Sequence, residues 1–182
     1  MPFETLTLDI AGQVVTITLN RPERRNAIST QMIEELLAAL DECDRAATVR
    51  VVIITGAGKA FCAGMDLEGL QALAGQSQEQ NVEDSRRMAR LFRRLYDYSK
   101  PLIAAVNGAA IAGGTGIATM CDFTLAVPDA KFGFTEVRIG FIPALVSVFL
   151  RRQIGEKRTH DLLLTGRLFD AEEAKALGLI TE

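Results

Sequence analysis

Two stretches of the sequence share one design, a continuous apolar run followed by a segment rich in glycine and alanine. The first run, VRVVIITG at 49–56, precedes AFCAGMDL at 60–67. The second, PLIAAVNG at 101–108, precedes AIAGGTGI at 110–117. Short apolar runs that end at glycine are typical of strands buried on both faces. The pair therefore predicts an α/β domain with these strands near its centre.

The remaining strand patterns fit the same fold class. Residues 3–20 predict a β-hairpin around Gly12, and DFTLAV at 122–127 predicts a third buried strand. GAGKAFCAGMDL, which follows the first apolar run, predicts a loop. Strands that alternate with helices indicate crossover connections.

Helical patterns occupy most of the rest of the chain. Ser29 is a predicted N-cap, and apolar residues at helical spacing follow it. A second amphipathic helix is predicted around Met88 to Leu95. The polar stretch GQSQEQNVED at 75–84 predicts a mobile surface loop, and residues 143–177 predict successive helices separated by glycines.

Composition excludes several classes of protein. The 182 residues are 48% hydrophobic and 24% charged, and the net charge of −3 does not favour nucleic-acid binding. The first residues lack the pattern of a secretory signal, and no run is long enough for a membrane span. Three widely spaced cysteines predict reduced thiols in a cytoplasmic protein and no disulfide or metal site.

The two small-residue segments can serve one chemical purpose. Small side chains let a ligand atom approach backbone N–H groups, which are unpaired at a helix N-terminus. Two such groups from separate loops would stabilise negative charge on a carbonyl oxygen as an oxyanion hole. Met65 and Gly113 are the candidate donors. Spacing alone leaves an equal alternative, in which the glycines only permit close helix–strand packing.

Five blocks of the sequence resemble the crotonase family, the enoyl-CoA hydratases and isomerases, in the same order. They are NRPERRNAIS, VVIITGAGKAFCAGMDL, KPLIAAVNGAAIAGGTGIATMCDFTLA, AKFGFTEVRIGFIP and LLLTGRLFDAEEAKALGLI. The similarity extends from about Phe3 to Ile180. It implies an α/β fold built as a crotonase-like spiral of ββα turns, a coenzyme A thioester substrate and an enolate intermediate.

The resemblance also implies roles for individual residues. It assigns the oxyanion N–H groups to Met65 and Gly113, in agreement with the hypothesis from spacing. No separate cofactor is implied, since coenzyme A is part of the substrate. The residues that the resemblance places along coenzyme A are Arg24, Arg25, Ala27, Ala63, Asp66, Leu67 and Gly114. Asp66 is also expected to order its own loop.

The sequence departs from the family's hydratases at one position. Those enzymes have a glutamate three residues after the oxyanion glycine and another in an FG-x-x-E block. FGFTE supplies Glu136 as the second, whereas Gly116 replaces the first. Two carboxylates divide the work of adding water, but one can move a proton between carbons. Hydration, isomerisation of a 3-enoyl-CoA to a 2-enoyl-CoA, and binding without catalysis all stay open. The alternative for Glu136 itself is a surface carboxylate paired with Arg138.

Other functions fit the sequence less well. The sequence contains neither the G-x-S-x-G elbow of a serine hydrolase nor the G-x-G-x-x-G motif of a dinucleotide enzyme. The single histidine, His160, lies far from the loops in the sequence. Arginines at 86–94 predict a phosphate site or, more commonly, a salt-bridged face. The resemblance implies a single core domain over 1–182 with a short or absent C-terminal helical region. It further implies a homotrimer or hexamer, provided that the full protein has the family's C-terminal helices.

Overall fold

The chain alternates between two β-sheets. The computed structural model describes residues 3–66, 69, 71 and 75–182. The strands are β1 Leu6–Ala11, β2 Val14–Leu19, β3 Val51–Gly56, β4 Ala60–Cys62, β5 Leu102–Val106, β6 Ala109–Ile111, β7 Phe123–Ala126, β8 Lys131–Gly133 and β9 Leu168–Asp170. One sheet has the order β1-β2-β3-β5-β7 and the other the order β4-β6-β8-β9.

Successive strand pairs build a spiral. β3, β5 and β7 pair in parallel in the first sheet, while β4, β6 and β8 pair in parallel in the second. Each turn thus places one strand in each sheet and continues into a helix. The predicted spiral of ββα turns is confirmed. The predicted hairpin is also confirmed, because β1 pairs antiparallel with β2 across Gly12, whose φ is 63°.

Helices connect the strands along the chain. They are α1 Thr30–Arg45, α2 Gln78–Tyr96, α3 Gly113–Met120, α4 Ala144–Ile154, α5 Glu156–Thr165 and α6 Ala171–Leu177. Ser29 caps α1 as predicted, since its hydroxyl accepts a hydrogen bond from the N–H of Met32 at 3.2 Å. No described helix is both long enough and apolar enough to cross a membrane.

Several expectations from the sequence are wrong in part. Most of the predicted mobile loop at 75–84 belongs to α2, which Ser77 and Gln80 begin with a reciprocal capping box. Polar composition is compatible with an exposed first helical turn, so it does not by itself indicate a loop. The segment predicted as a loop after β3 contains the short strand β4. The segment 143–177, predicted as helices alone, contains the short strand β9. Finally, β3 and β5 are buried on one face and half-buried on the other, because an apolar run does not reveal which faces are covered. The third strand predicted as buried, β7, is exposed at Phe123 and Leu125 for the same reason.

Candidate active site

The two small-residue segments meet through backbone contacts. Gly64 has a φ of 87°, and a methyl group added to it would lie 2.9 Å from both the Ala112 Cβ and the Ile111 carbonyl oxygen. The same added methyl would lie 3.4 Å from the Gly113 nitrogen. Only glycine fits both the conformation and the space at position 64. Because Met65 follows Gly64 directly, this close approach places Met65 beside Gly113.

Hydrogen bonds hold the Met65 loop against the segment that precedes α1. The Ala63 N–H donates to the Arg25 carbonyl at 3.0 Å, and the Ile28 N–H donates to the Gly64 carbonyl at 2.7 Å. The Asp66 N–H then donates to the Ile28 carbonyl at 3.0 Å. This pattern skips the N–H of Met65, which has no acceptor among the described residues. A ligand oxygen can therefore accept a hydrogen bond from it.

The second candidate donor lies at the N-terminus of α3. The Gly116 N–H donates to the Ala112 carbonyl at 3.1 Å, so that carbonyl points along the helix. A trans peptide is planar, and its N–H points opposite to its C=O. The Gly113 N–H therefore points out of the helix end, where no described residue accepts a hydrogen bond from it. The positive end of the helix dipole adds to its attraction for negative charge.

Both donors border a cavity of about 400 Å³. Ala63, Met65, Ala112 and Gly113 form one side, and apolar residues from α2 and from the segment 139–146 form most of the rest. Glu136 is the only ionisable side chain among its described lining residues. The cavity combines an apolar wall, a lone carboxyl group and the two N–H groups, an arrangement suited to proton transfer beside a carbonyl.

The carboxyl group of Glu136 is held in an unusual state. Its Oε2 is buried and has no hydrogen-bond partner among the described residues. Burial raises the pKa of this carboxyl group above its ordinary value, although a hydrogen bond from its own backbone N–H opposes the shift. The described residues show no ion pair between Glu136 and Arg138. Buried unpaired carboxyl groups with raised pKa values are typical of acid–base sites.

Gly116 is packed against apolar side chains. A methyl group added there would lie 2.9 Å from the Phe92 Cζ and 3.1 Å from the Val146 Cγ2. Both of these residues also line the cavity. The space beside position 116 is therefore already filled by a ring and a methyl group. A second carboxyl group has no room there unless these neighbours move.

The residues expected along coenzyme A have diverse settings. Arg24 and Arg25 are exposed, Ala27 is buried, and Ala63 lines the cavity. Gly114 does not line it. Instead, a methyl group at Gly114 would lie 2.2 Å from the Cys62 carbonyl oxygen, which gives this glycine a packing role between α3 and β4. Leu67 lies outside the described residues.

Asp66 orders its loop, as expected. Its carboxylate pairs with the Arg21 guanidinium at 2.7 Å, and both side chains are largely buried. Arg21 also donates to the Ala27 carbonyl at 2.7 Å. This pair lines a second cavity of about 350 Å³ that shares Met65 with the first. The ion pair thus connects the segment before α1 to the Met65 loop.

Asn26 is an organising residue that the sequence analysis missed. It is fully buried with a φ of 55°, and its Oδ1 accepts a hydrogen bond from the Arg21 N–H at 2.9 Å. Its Nδ2 donates to the carbonyls of Ala57 and Ala60 at 2.9 and 2.8 Å. Asparagine tolerates the left-handed region and bonds to nearby backbone. Its position between a proline turn and the amphipathic helix α1 is the sequence signal that could have identified it.

The arginines of α2 and the single histidine do not line the cavity. The arginines of α2 pair with carboxylates, as a salt-bridged face requires; for example, Arg94 contacts both Asp41 and Asp44 at 2.9 Å. Four further arginines do the same, namely Arg86, Arg87, Arg90 and Arg93. His160 lies in α5 and does not line the cavity.

Comparisons with known proteins agree with the fold. A family model described as enoyl-CoA hydratase/isomerase matches residues 9–182. A Thermus thermophilus protein provisionally named an enoyl-CoA hydratase is 52% identical over 169 residues, which cover 93% of this chain and 67% of that protein. The enoyl-CoA hydratase EchA19 of Mycobacterium tuberculosis is 45% identical over 173 residues, or 93% of this chain and 64% of that one.

A solved structure extends the agreement to three dimensions. The crystal structure of an enoyl-CoA hydratase from Shewanella pealeana has a TM-score of 0.95 and 32% identity, covering 98% of this chain and 67% of that one. The chain thus spans about two thirds of the length of each of these relatives. Since the family model matches nearly all of the sequence and the spiral fold agrees, the chain belongs to the enoyl-CoA hydratase/isomerase family of enzymes.

Proposed function

We propose that the chain binds an enoyl-CoA thioester and transfers a proton through an enolate. The backbone N–H groups of Met65 and Gly113 bind the thioester oxygen, and Glu136 acts as general acid and base. The observation that carries the proposal is the unpartnered, buried carboxyl oxygen of Glu136 in the same cavity as both loops. A carboxyl group with a raised pKa exchanges protons near neutral pH more readily than an ordinary one.

The reaction that fits a single carboxyl group is isomerisation. The Glu136 carboxylate removes a proton from C2 of a 3-enoyl-CoA, and the electron pair moves through C2 and C1 onto the thioester oxygen. Negative charge then develops where the two N–H groups converge, which stabilises the enolate. The protonated Glu136 returns its proton to C4, the double bond shifts to C2–C3, and the carboxylate is regenerated. No other acid or base is needed.

Hydration is the second candidate, and the names of the relatives favour it. It requires one group to orient and deprotonate water and a proton for the α-carbon. The space where a second carboxyl group would stand is next to Phe92 and Val146, which are apolar. An apolar surface holds ordered water poorly. The geometry therefore supports isomerisation better than hydration.

Two substrates distinguish these reactions. Purified protein is mixed with crotonyl-CoA and, separately, with 3-hexenoyl-CoA, while the absorbance of the conjugated thioester is followed. A gain from the 3-enoyl compound means isomerisation, and a loss from crotonyl-CoA means hydration. If neither signal changes but both thioesters bind, the chain is an acyl-CoA-binding protein and the catalytic proposal is wrong.

The remaining proposals concern the substrate and its surroundings. Arg24 and Arg25 are exposed cations that suit the phosphates of coenzyme A, and Ala63 is small enough to let the pantetheine arm pass. Asp66, Leu67, Ala27 and Gly114 stay predicted neighbours of the same ligand. A single core domain, assembly as a homotrimer and a cytoplasmic location also stay predictions. Sedimentation of the full-length protein tests the assembly.

A further inference from the structure

Ala112 has a backbone conformation that non-glycine residues rarely adopt. Its φ is 53° and its ψ is −122°. These angles match the first central position of a type II′ turn, at about +60° and −120°, where glycine is preferred. Residues held in such strained conformations cluster at functional sites. Here the strained residue directly precedes Gly113, a proposed oxyanion donor.

Hydrogen bonds hold Ala112 on both sides. Its N–H donates to the Gly133 carbonyl at the end of β8 at 2.7 Å. Its carbonyl accepts the first hydrogen bond of α3, from the Gly116 N–H at 3.1 Å. The peptide that this carbonyl shares with Gly113 is therefore fixed in direction. The backbone angles of Ala112 determine where the Gly113 N–H points.

The methyl group of Ala112 faces the other donor loop. A methyl group built on Gly64 would lie 2.9 Å from the Ala112 Cβ, so the two residues are packed side by side. Gly64 precedes Met65, the second proposed donor. Ala112 also lines the cavity itself. Its methyl group thus lies between the two loops that supply the N–H groups.

We propose that Ala112 is a positioning residue that sets the distance and direction between the Met65 and Gly113 N–H groups. The inference rests on the function proposed above. The strained backbone aims one N–H, while the methyl group separates the two loops. A glycine at 112 would accept the same angles without strain, but it would leave a gap beside Gly64. The loops could then move relative to each other.

The test compares two ligands that differ in charge at the thioester oxygen. 3-Oxobutanoyl-CoA has an acidic α-carbon and can bind as an enolate, whereas butanoyl-CoA binds as a neutral thioester. Affinities are measured by calorimetry for the wild type, Ala112→Gly and Ala112→Ser, which retains the Cβ. Ala118→Gly is the matched control, because it makes the same change in a buried residue of α3 that does not line the cavity.

We expect Ala112→Gly to lose selectivity for the enolate ligand, because its affinity for the neutral butanoyl-CoA should fall much less than its affinity for the charged ligand. In other enzymes, removal of one oxyanion donor lowers kcat by about 10²–10³-fold. A donor that remains but is no longer held in place should have a smaller effect, so we expect the ratio of the two affinities to fall about tenfold. The same variant should melt about 2–4 °C higher, because the backbone strain is relieved. Ala112→Ser and Ala118→Gly should both keep the wild-type ratio of affinities.

Three other results would overturn the inference in separable ways. If Ala112→Gly keeps the wild-type ratio, Ala112 does not position the donors, and the proposed function stands. If Ala118→Gly loses the ratio equally, the effect comes from general softening of α3. If the wild type itself does not prefer 3-oxobutanoyl-CoA, the paired donors are not an oxyanion site, and the proposed function fails together with the inference.

Discussion

Replacing Glu136 with glutamine should abolish catalysis and stabilise the fold at the same time. A general acid–base group contributes about 10²–10⁴ in rate. Because no other described residue that lines the cavity is ionisable, nothing there replaces the carboxyl group. We therefore expect a loss near the upper end, about 10⁴-fold in kcat, which is about 5 kcal/mol of barrier. Affinity for the saturated thioester should change little, since glutamine has nearly the same shape.

The effect on stability follows from the buried oxygen. Leaving a buried polar atom without a partner costs about 1–3 kcal/mol, and Glu136 is only half-buried, so the lower end applies. A neutral amide costs less to bury than a carboxylate. We expect Glu136→Gln to raise the free energy of unfolding by about 1 kcal/mol at neutral pH, or Tm by about 2–4 °C.

The stabilisation should depend on pH with a definite sign. The pKa of Glu136 is higher in the folded chain than its ordinary value of 4.5. The wild type therefore loses stability as pH rises from 4.5 through the pKa of the folded state. In the glutamine variant, residue 136 does not titrate, so this loss is absent. Thermal melts at pH 4 and pH 7.5 should show a small difference between variant and wild type at the lower pH and the full difference at the higher.

A surface substitution provides the control. Glu172 is exposed in the first turn of α6 and does not line the cavity, so Glu172→Gln should leave both rate and pH dependence unchanged. The reasoning is refuted if Glu136→Gln retains more than a tenth of the wild-type kcat. It is also refuted if the variant is no more stable than the wild type at pH 7.5.

Three further substitutions test the packing around the site. Gly114→Ala forces a methyl group to within 2.2 Å of the Cys62 carbonyl oxygen. We expect it to lower the free energy of unfolding, measured in urea, by about 3 kcal/mol or more. Near-wild-type stability would contradict the close packing of α3 against β4. Gly116→Ala meets the Phe92 ring at 2.9 Å, and overpacking of about 1–3 kcal/mol should exceed the helix-propensity gain of about 1 kcal/mol, giving a Tm lower than that of the wild type. Asn26→Asp places a carboxylate oxygen where the amide nitrogen donates to two carbonyls. We expect the free energy of unfolding to fall by about 3 kcal/mol at pH 7.5 and by less at pH 4, as measured by urea unfolding at both pH values.

Much of the architecture could be predicted from patterns along the chain. The hairpin, the parallel strands and the amphipathic helices follow from local periodicity, which is set by backbone geometry. The convergence of the two small-residue segments was also predictable, because equivalent ends of parallel strands lie at one edge of a sheet. The start of the helix at 78–96 could not be predicted from composition, because its first turns are polar and a capping box uses the same residue types as a polar loop.

The state of Glu136 could not be predicted in the same way. Its position in FGFTE indicated a role, but the missing hydrogen-bond partner depends on side chains from α2 and from residues 139–146, which are distant in sequence. The neighbours of Gly116 are a similar case, since Phe92 and Val146 reach it only through the packing of three helices.

Local pattern in this chain specified most of the strands and helices and the loops that have bare backbone, because those properties depend on residues a few positions apart. The unpaired N–H groups of Met65 and Gly113, the burial of one carboxyl group and the strained peptide at Ala112 depend on atoms from segments that are far apart in the sequence. Such properties arise only when the spiral closes and water is excluded, since burial and unmet hydrogen bonds belong to the packed structure as a whole.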